Sequence, residues 1–336
     1  MGNITVIGGG AWGAALADQL ASRQTTDPKA TGDHLLHVLV RDDATAQALR
    51  EGHVPRLGQI PLRQPLKAST DTRILSSAQM IFLVLPLSAH ESAAEMIATY
   101  ASDEAILVFA AKGLMDDSEK GGLFLNEWAS QHPSFGRRAV PPVILTGPSF
   151  ADEVIAGKPT ALVAACADKQ TAISVSDVLS HGHFRCYHHG DPMGAAIGGA
   201  AKNVMAIAAG ICAGLGLGDN ARAALITRGL AEMQRLGQRL GAEPTSFAGL
   251  SGLGDLTLSC SSPHSRNMAF GLALGRGEAP AETLAEGRHA ASKLAKRARF
   301  ECVDMPIVSA IDQVLNNGAD MKASIEDLLA RDVGAE

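Results

Sequence analysis

Short runs of consecutive apolar residues recur along the first 190 residues of the chain, and most of them end at a glycine, a proline or a polar segment. Runs of this length that are rich in Val and Ile are typical of strands buried on both faces. The predicted strands are Ile4–Ile7, His37–Val40, Met80–Leu85, Ala105–Ala110, Val143–Thr146, Thr160–Ala165 and Phe184–Tyr187. Segments of helical composition, such as Ala14–Ser22 and Glu91–Tyr100, lie between them. This alternation predicts an α/β domain with a parallel, doubly wound sheet of the Rossmann kind.

The pattern changes after Gly190, where strand-like runs stop. From there to the end, Ala, Leu, Gly and charged residues recur at helical spacing, which predicts an all-helical domain. We therefore place the domains at 1–190 and 191–336. In the first domain, the polar segment Gln24–His34 contains Pro28 and Gly32 and is predicted to be a surface loop.

Length and composition narrow the function classes. A chain of 336 residues suits two domains, and 46% hydrophobic residues allow a large core. The net charge of -6 argues against nucleic acid as the main partner. The five cysteines are odd in number and scattered, so neither a disulfide framework nor a zinc site is predicted, and we expect no metal. The longest apolar stretch, Asn203–Gly218, is too short for a membrane helix, so no membrane insertion is expected.

A glycine motif follows the first predicted strand. Gly8, Gly10 and Gly13 match the spacing of a dinucleotide-binding turn, directly before a predicted helix. In such a turn the first glycine permits the sharp bend, the second lets the pyrophosphate approach the backbone, and the third lets helix and strand pack closely. Ala11 and Trp12 lie within the same segment and are predicted cofactor contacts.

The end of the second strand bears on the choice of nicotinamide. An acidic residue at this place binds the ribose hydroxyl of NAD, whereas an arginine binds the 2'-phosphate of NADP. The chain has Arg41 followed by Asp42 and Asp43. Arg41 favours NADP, and the two acidic residues leave NAD open, so the expected cofactor is NADP or NAD.

An ordered series of sequence blocks resembles the bacterial-type NAD(P)-dependent glycerol-3-phosphate dehydrogenase family, over nearly the whole chain. The blocks are Gly8–Leu16, Lys112–Gly113, Gly147–Ala151, Gly198–Val204, Gly218–Gly229, Gly252–Leu256 and Ser265–Asn267. The segment His53–Leu62 and the Pro86-Leu87-Ser88 stretch depart from the family pattern. The resemblance implies hydride transfer between NAD(P)H and dihydroxyacetone phosphate, supply of glycerol 3-phosphate for phospholipid synthesis, and a homodimer. The scattered cysteines fit free thiols in a reducing cytosol, so we expect a cytoplasmic location.

Lys202 is the predicted catalytic residue, because the matching lysine of the family exchanges the proton of the substrate hydroxyl. Its apolar neighbours on both sides argue against a fully exposed surface lysine. The resemblance also implies a set of substrate contacts and a set of cofactor contacts. The predicted substrate-binding residues are Lys112, Gly147, Ser149, Lys202, Asn203, Asp255, Ser265, Arg266 and Asn267. The predicted cofactor-binding residues are Gly8, Gly10, Ala11, Trp12, Gly13, Arg41, Lys112, Ala151, Arg266, Leu284 and Glu286.

Simpler explanations exist for several of these residues. Asp255 and Ser265 could be ordinary helix caps, and Lys112 and Arg266 could be solvated surface charges. Two other functions also fit a Rossmann domain followed by helices. One is a dehydrogenase that acts on a 3-hydroxyacyl or sugar-acid substrate, and the other is a nucleotide-sensing regulator that does not need Lys202.

Overall fold

The computed structural model describes residues 2–26, 35–55, 57–58, 60–135, 138–262, 264–279 and 286–329. The chain divides into two compact units. The first unit comprises 1–112 and 125–195, and the second comprises 113–124 and 196–336. The predicted boundary near Gly190 thus lies five residues before this division, and the second unit also contains a short segment from the N-terminal part of the chain. Of the predicted loop Gln24–His34, residues 24–26 are helical, and the remainder lies outside the described residues.

The first unit is built on an eight-stranded sheet. The strands of the chain are β1 Asn3–Ile7, β2 Leu36–Leu39, β3 Ala68–Ser69, β4 Ala78–Leu83, β5 Ile106–Phe109, β6 Leu114–Met115, β7 Leu123–Phe124, β8 Val143–Thr146, β9 Thr160–Ala165 and β10 Phe184–His189. The order in the sheet is β10-β9-β8-β5-β4-β1-β2-β3. Every predicted apolar run therefore forms a strand of this sheet, as a Rossmann-like domain requires.

One pair of strands differs from the prediction. All neighbours in the sheet are parallel except β8 and β9, where Leu145 lies opposite Ala164 in an antiparallel register. The connection between these strands contains one helix of five residues, and the chain runs back along the sheet after it. The predicted Rossmann-like, doubly wound sheet is confirmed, with one antiparallel pair that the apolar runs did not predict.

Six α-helices lie wholly within the described part of the first unit. They are α1 Ala11–Thr26, α2 Asp43–Arg50, α3 His90–Tyr100, α4 Leu125–Gln131, α5 Ala151–Ile155 and α6 Lys169–Leu179. Val6 of β1, Leu16 of α1 and Phe82 of β4 are completely buried in the same apolar core. Burial of each such side chain contributes about 1.5–3 kcal/mol to the free energy of folding. This core therefore holds β1 and α1 in place, and with them the turn between the two.

The second unit is mainly helical. Its helices are α7 Pro192–Gly214, which begins in the first unit, α8 Gly218–Arg239, α9 Pro244–Ala248, α10 Asp255–Ser261, α11 Arg266–Gly275, α12 Glu286–Phe300, α13 Pro306–Asn316 and α14 Met321–Leu329. A π-helical turn, Leu250–Gly254, leads directly into α10. Helix α7 is long and apolar enough to cross a membrane, but 94% of its apolar window is buried within the protein. We therefore describe it as a core helix.

The hairpin of β6 and β7 is the segment of the second unit that comes from the N-terminal part of the chain. Two cations of α12 hold it: Lys293 donates to the Leu114 carbonyl at 3.1 Å, and the buried Arg297 donates to the Gly122 carbonyl at 2.8 Å. Arg297 is also paired with Glu301 at 3.1 Å. A buried ion pair of this kind keeps its place only when its hydrogen bonds are satisfied, so the hairpin is an integral part of the second unit.

Helices α7 and α11 pack with their backbones in contact. A Cβ at Gly210 would lie 2.1 Å from the Met268 carbonyl oxygen, and a Cβ at Gly271 would lie 2.1 Å from the Ile207 carbonyl oxygen. Both distances are far below any real carbon–oxygen contact, so the approach depends on glycine at these two positions. It brings the first turn of α11 beside the middle of α7, where Asn203 and Lys202 lie.

Candidate active site

The predicted nucleotide turn lies between β1 and α1 in the first unit. Gly8 has a φ of 122°, and a Cβ there would lie 2.2 Å from the Val84 carbonyl oxygen. A Cβ at Gly13 would lie 2.0 Å from the Gly8 carbonyl oxygen, whereas a Cβ at Gly10 would meet nothing within 4 Å. Gly8 and Gly13 are thus required by the protein's own packing. Gly10 faces open space, which is the arrangement that a phosphate group needs when it approaches the backbone.

The first turn of α1 presents backbone donors at this turn. The first helical hydrogen bond runs from the Ala14 N–H to the Gly10 carbonyl at 2.9 Å. The N–H groups of Ala11, Trp12 and Gly13 come before it and have no acceptor within the helix. No acidic residue lies in the first turn of α1. A helix N-terminus of this kind attracts an anion, so the turn fits the pyrophosphate of a dinucleotide.

Three charged residues follow β2, and they differ in whether the protein itself provides a partner. Asp42 caps α2 by accepting from the Thr45 N–H at 2.8 Å, and this hydrogen bond is the main cause that lowers the pKa of the Asp42 carboxyl. Asp43 accepts from the Thr70 hydroxyl at 3.0 Å. Arg41 is exposed. Both acidic side chains therefore have structural partners, and the positive charge of Arg41 faces solvent.

Four further predicted residues lie at the carboxyl ends of β5 and β8 in the first unit. The Lys112 ammonium donates to the Gly147 carbonyl at 3.2 Å, and the Ser149 hydroxyl donates to the same oxygen at 3.1 Å. Ala151 begins α5. Ligands of open α/β sheets bind at the carboxyl ends of parallel strands, so these residues are at the edge where a ligand is expected.

In the second unit, the Lys202 side chain is 10% exposed and points to a carboxylate. Its Nζ donates to Asp255 Oδ1 at 2.5 Å and to the Ser259 hydroxyl at 3.0 Å. Asp255 and Ser259 are both buried. An ammonium and a carboxylate in a site with little water attract each other strongly, so Asp255 and Ser259 hold the Lys202 amine in one position.

The surroundings of this lysine are dry. Burial raises the pKa of the neighbouring Cys260 thiol to about 12, although the positive charges of Lys202 and Arg222 oppose the rise. Cys260 is therefore a neutral thiol at physiological pH and does not compete with Lys202 in proton transfer.

The predicted residues on α11 lie next to those on α7. Asn267 donates from Nδ2 to Asn203 Oδ1 at 3.0 Å. Ser265 caps α11 by accepting from the Met268 N–H at 3.4 Å, and Arg266 is the exposed first residue of that helix. Lys202, Asp255 and Ser259 form what we call the lysine centre. Asn203 follows Lys202 directly on α7, so the start of α11 lies beside the turn of α7 that carries this centre.

The structure thus pairs Lys202 with Asp255 and Asn203 with Asn267. It also identifies Ser259, which the sequence analysis missed. The available signal was its spacing, since Ser259 comes one helical turn after Asp255 on α10. Leu284 lies outside the described residues, and so does the side chain of Glu286, the first residue of α12. Within the described parts of the chain, no group of three or more His, Cys, Asp or Glu side chains could hold a metal ion.

Comparison with known proteins relates both halves of the chain to one family. Residues 3–172 match the family described as NAD-dependent glycerol-3-phosphate dehydrogenase N-terminus, and residues 191–326 match the corresponding C-terminus. The glycerol-3-phosphate dehydrogenase [NAD(P)+] of Afipia carboxidovorans is 42% identical over 99% of this chain and 98% of its own length. A protein of the same name from Bradyrhizobium sp. (strain ORS 278) is 43% identical, with the same coverage.

A solved structure agrees with these sequence matches. The crystal structure of glycerol-3-phosphate dehydrogenase from Coxiella burnetii superposes with a TM-score of 0.86 at 32% sequence identity, over 98% of this chain and 99% of that one. The resemblance found in the sequence blocks is therefore confirmed along the full length. The chain belongs to the NAD-dependent glycerol-3-phosphate dehydrogenase family of oxidoreductases.

Proposed function

We propose that this chain interconverts dihydroxyacetone phosphate and sn-glycerol 3-phosphate with NADP or NAD, and that Lys202 transfers the proton. The observation that carries the proposal is the buried ammonium of Lys202, which Asp255 and Ser259 hold at 2.5 Å and 3.0 Å. A regulator that only senses a nucleotide has no use for a buried charge at this place, because burying it costs free energy.

In the direction of reduction, NADPH or NADH would supply the hydride for the carbonyl carbon. The carbonyl oxygen gains negative charge as this happens, and the Lys202 ammonium donates a proton to it. The lysine then carries a neutral amine, which regains a proton from solvent before the next turnover. Asp255 keeps Nζ in place throughout, and in the reverse direction the amine accepts the hydroxyl proton.

The phosphate of the substrate needs a separate anchor. We assign it to the N-terminus of α11, where Ser265, Arg266 and Asn267 lie in sequence. A helix N-terminus offers free N–H groups, and the Arg266 guanidinium adds a charge-assisted contact. Asn203 is bonded to Asn267 and is a further substrate contact. In the first unit, Lys112, Gly147 and Ser149 are assigned to the substrate as well.

Cofactor binding is assigned to Gly8, Gly10, Ala11, Trp12 and Gly13, on the grounds of the open space above Gly10 and the free N–H groups of α1. Further contacts are assigned to Lys112, Ala151, Arg266, Leu284 and Glu286. Arg41 is assigned to the 2'-phosphate of NADP, because Asp42 and Asp43 already have internal partners.

Several wider features belong to the same proposal. We place the dinucleotide-binding domain at residues 1–190 and the helical, substrate-binding domain at 191–336. The enzyme works in the cytoplasm as a homodimer, and its product enters phospholipid synthesis. Its substrate is a three-carbon phosphate, not a 3-hydroxyacyl compound or a sugar acid.

Steady-state kinetics with each reduced nicotinamide test this function. Dihydroxyacetone phosphate is expected to support oxidation of NADPH or NADH, whereas acetoacetyl and oxo-acid substrates are not. The Arg41→Ala variant is expected to raise KM for NADPH about tenfold while KM for NADH changes little, since only NADPH has the extra phosphate. Turnover with an oxo acid and none with dihydroxyacetone phosphate would overturn the proposal.

A further inference from the structure

Gly198 lies one helical turn before Lys202 on α7 and touches a different part of the chain. A Cβ at Gly198 would lie 2.2 Å from the carbonyl oxygen of Ser251, which is in the π-helical turn Leu250–Gly254. This oxygen is a backbone atom, so it cannot rotate away as the end of a flexible side chain would. A side chain at position 198 would therefore push α7 and the π-helical turn apart.

The same two segments meet again at the lysine centre. Gly198 and Lys202 are four residues apart and share one face of α7, and Ser251 and Asp255 are separated by the same number of residues. Gly198 touches Ser251, and Lys202 bonds to Asp255 and then to Ser259. The backbone contact at Gly198 is thus the contact next to the ion pair, and it sets how closely the two segments approach there.

The Ser251 carbonyl has little freedom to move. The Ser251 hydroxyl donates to the Ser246 carbonyl at 3.1 Å, and the Gly254 N–H donates to the Gly249 carbonyl at 3.1 Å. Both Ser246 and Ser251 are buried. These bonds make the turn a firm unit that continues into α10, so a displacement at Ser251 is passed on to Asp255.

We propose that Gly198 is a positioning residue for proton transfer: the absence of a side chain at this position holds Asp255 within hydrogen-bond distance of the Lys202 ammonium. This inference rests on the proposed function, because it concerns the step that we assign to Lys202. It predicts that a single methyl group at position 198 slows the chemical step while substrate and cofactor still bind.

The Gly198→Ala variant tests the inference. To restore an ordinary contact, the methyl group must move the turn by about 1 Å, and a misplacement of that size costs about 100-fold in rate. We expect kcat for dihydroxyacetone phosphate to fall about 100-fold, with KM for substrate and for NADPH within about threefold of wild type. We also expect the solvent deuterium isotope effect on kcat to rise about twofold, because proton transfer becomes rate-limiting. A merely smaller fraction of folded enzyme would lower kcat without changing the isotope effect.

Gly214→Ala is the matched control. A Cβ at Gly214 would lie 2.5 Å from the Leu272 carbonyl oxygen, so the steric clash is similar to that at Gly198. Gly214 is at the far end of α7 from Gly198. This variant is expected to lower Tm as much as Gly198→Ala does, and to keep kcat within about threefold and the isotope effect of wild type. The same loss of kcat and the same isotope effect in both variants would overturn the proposal.

A rescue experiment separates distance from general damage. In the double variant Gly198→Ala with Asp255→Glu, the longer side chain reaches across the widened gap, so kcat is expected to be about fivefold higher than in Gly198→Ala alone. Asp255→Glu alone is expected to lower kcat, because its carboxylate is then too close. A double variant that is no faster than Gly198→Ala would contradict the proposal.

The milder variant Ser251→Ala gives a result even if Gly198→Ala does not fold. It removes only the hydrogen bond to the Ser246 carbonyl, so kcat is expected to fall about three- to tenfold with unchanged KM. Wild-type kcat in Ser251→Ala would contradict the role of the turn. Absence of turnover with dihydroxyacetone phosphate in the wild-type enzyme would instead reject the proposed function, so the two failures are distinguishable.

Discussion

In the first unit, the surface that fits a dinucleotide is made of backbone. The groups available to an anion are N–H donors at the start of α1, and the shape of this surface depends on the space above Gly10. In the second unit, the lysine centre is made of charged side chains away from water, with Lys202 and Asp255 paired at 2.5 Å. A backbone site has no group that titrates, whereas a buried ion pair depends on the protonation and position of both partners.

Because of this difference, substitutions in the two units are expected to change different measured quantities. Changes in the glycine turn alter how much room a ligand has and should appear in cofactor affinity. Changes at the lysine centre should alter proton transfer and appear in kcat. Changes at the N-terminus of α11 should alter phosphate binding and appear in KM for the substrate. The second unit buries other charges too, including Glu232 and Arg297, so the response of stability to pH is also expected there.

Among the expected changes in binding and stability, the change for Arg266→Ala is the largest. Loss of a charge-assisted phosphate contact costs about 2–3 kcal/mol, so KM for dihydroxyacetone phosphate is expected to rise about 100-fold, and KM for NADPH by much less. Arg276→Ala is the control, because Arg276 is an exposed arginine at the opposite end of the same helix. A rise in KM for the cofactor that equals or exceeds the rise for the substrate would remove the phosphate role from Arg266.

Glu232→Gln tests the buried charge of the second unit through stability. Glu232 accepts from the N–H groups of Ile307 and Val308 at the start of α13. Burial raises the pKa of this carboxyl from 4.5 to about 7, although those two hydrogen bonds oppose the rise. A raised pKa in the folded state means that the folded protein keeps its proton between pH 4.5 and about 7 while the unfolded chain has lost it.

The contribution of Glu232 to stability therefore falls as pH rises through that window and is constant above it. The change amounts to at most about 3 kcal/mol. Urea unfolding at pH 5 and at pH 8 should show this fall in the wild-type protein, and Glu232→Gln should lose it. An identical pH dependence in both proteins would show that Glu232 is ionised throughout the range.

The glycine turn gives the smallest effect and the sharpest contrast. Gly10→Ala adds a methyl group in open space, so Tm is expected to stay within about 2 °C of wild type, while Kd for NADPH rises about tenfold. Gly13→Ala adds a methyl group 2.0 Å from the Gly8 carbonyl oxygen and is expected to lower Tm by several degrees. Equal changes in Tm for the two variants, measured by calorimetry, would contradict the difference between them.

The strands of the first unit could be predicted because each is a continuous apolar run with a breaker at its end. The hairpin of β6 and β7 could not, because its strands have two residues each. Its place in the second unit depends on Lys293 and Arg297, which are about 175 residues away in the sequence, and periodicity carries no information about such contacts.

For the lysine centre, the sequence blocks predicted Lys202 and Asp255 as site residues, and the pairing of their side chains is a finding of the structure. Asp255 also had an ordinary explanation as a helix cap, whereas the structure places Gly254 at the cap and turns the carboxylate to the lysine. The spacing of Ser259 and the presence of Gly198 in a sequence block could be read from the sequence, but their contacts could not. Ser259 is a buried hydroxyl next to the amine and Gly198 permits a backbone contact, and both depend on tertiary packing.

The most direct test of the central claim is the turnover of Lys202→Met together with its affinity for NADPH. General acid–base catalysis contributes about 100- to 10,000-fold, so we expect kcat for dihydroxyacetone phosphate to fall by at least about 1,000-fold. Kd for NADPH, measured by fluorescence titration, is expected to stay within about twofold, with Lys158→Met as the exposed control. A Lys202→Met enzyme that retains a tenth or more of wild-type kcat (about 1.4 kcal/mol of barrier or less) would contradict the account.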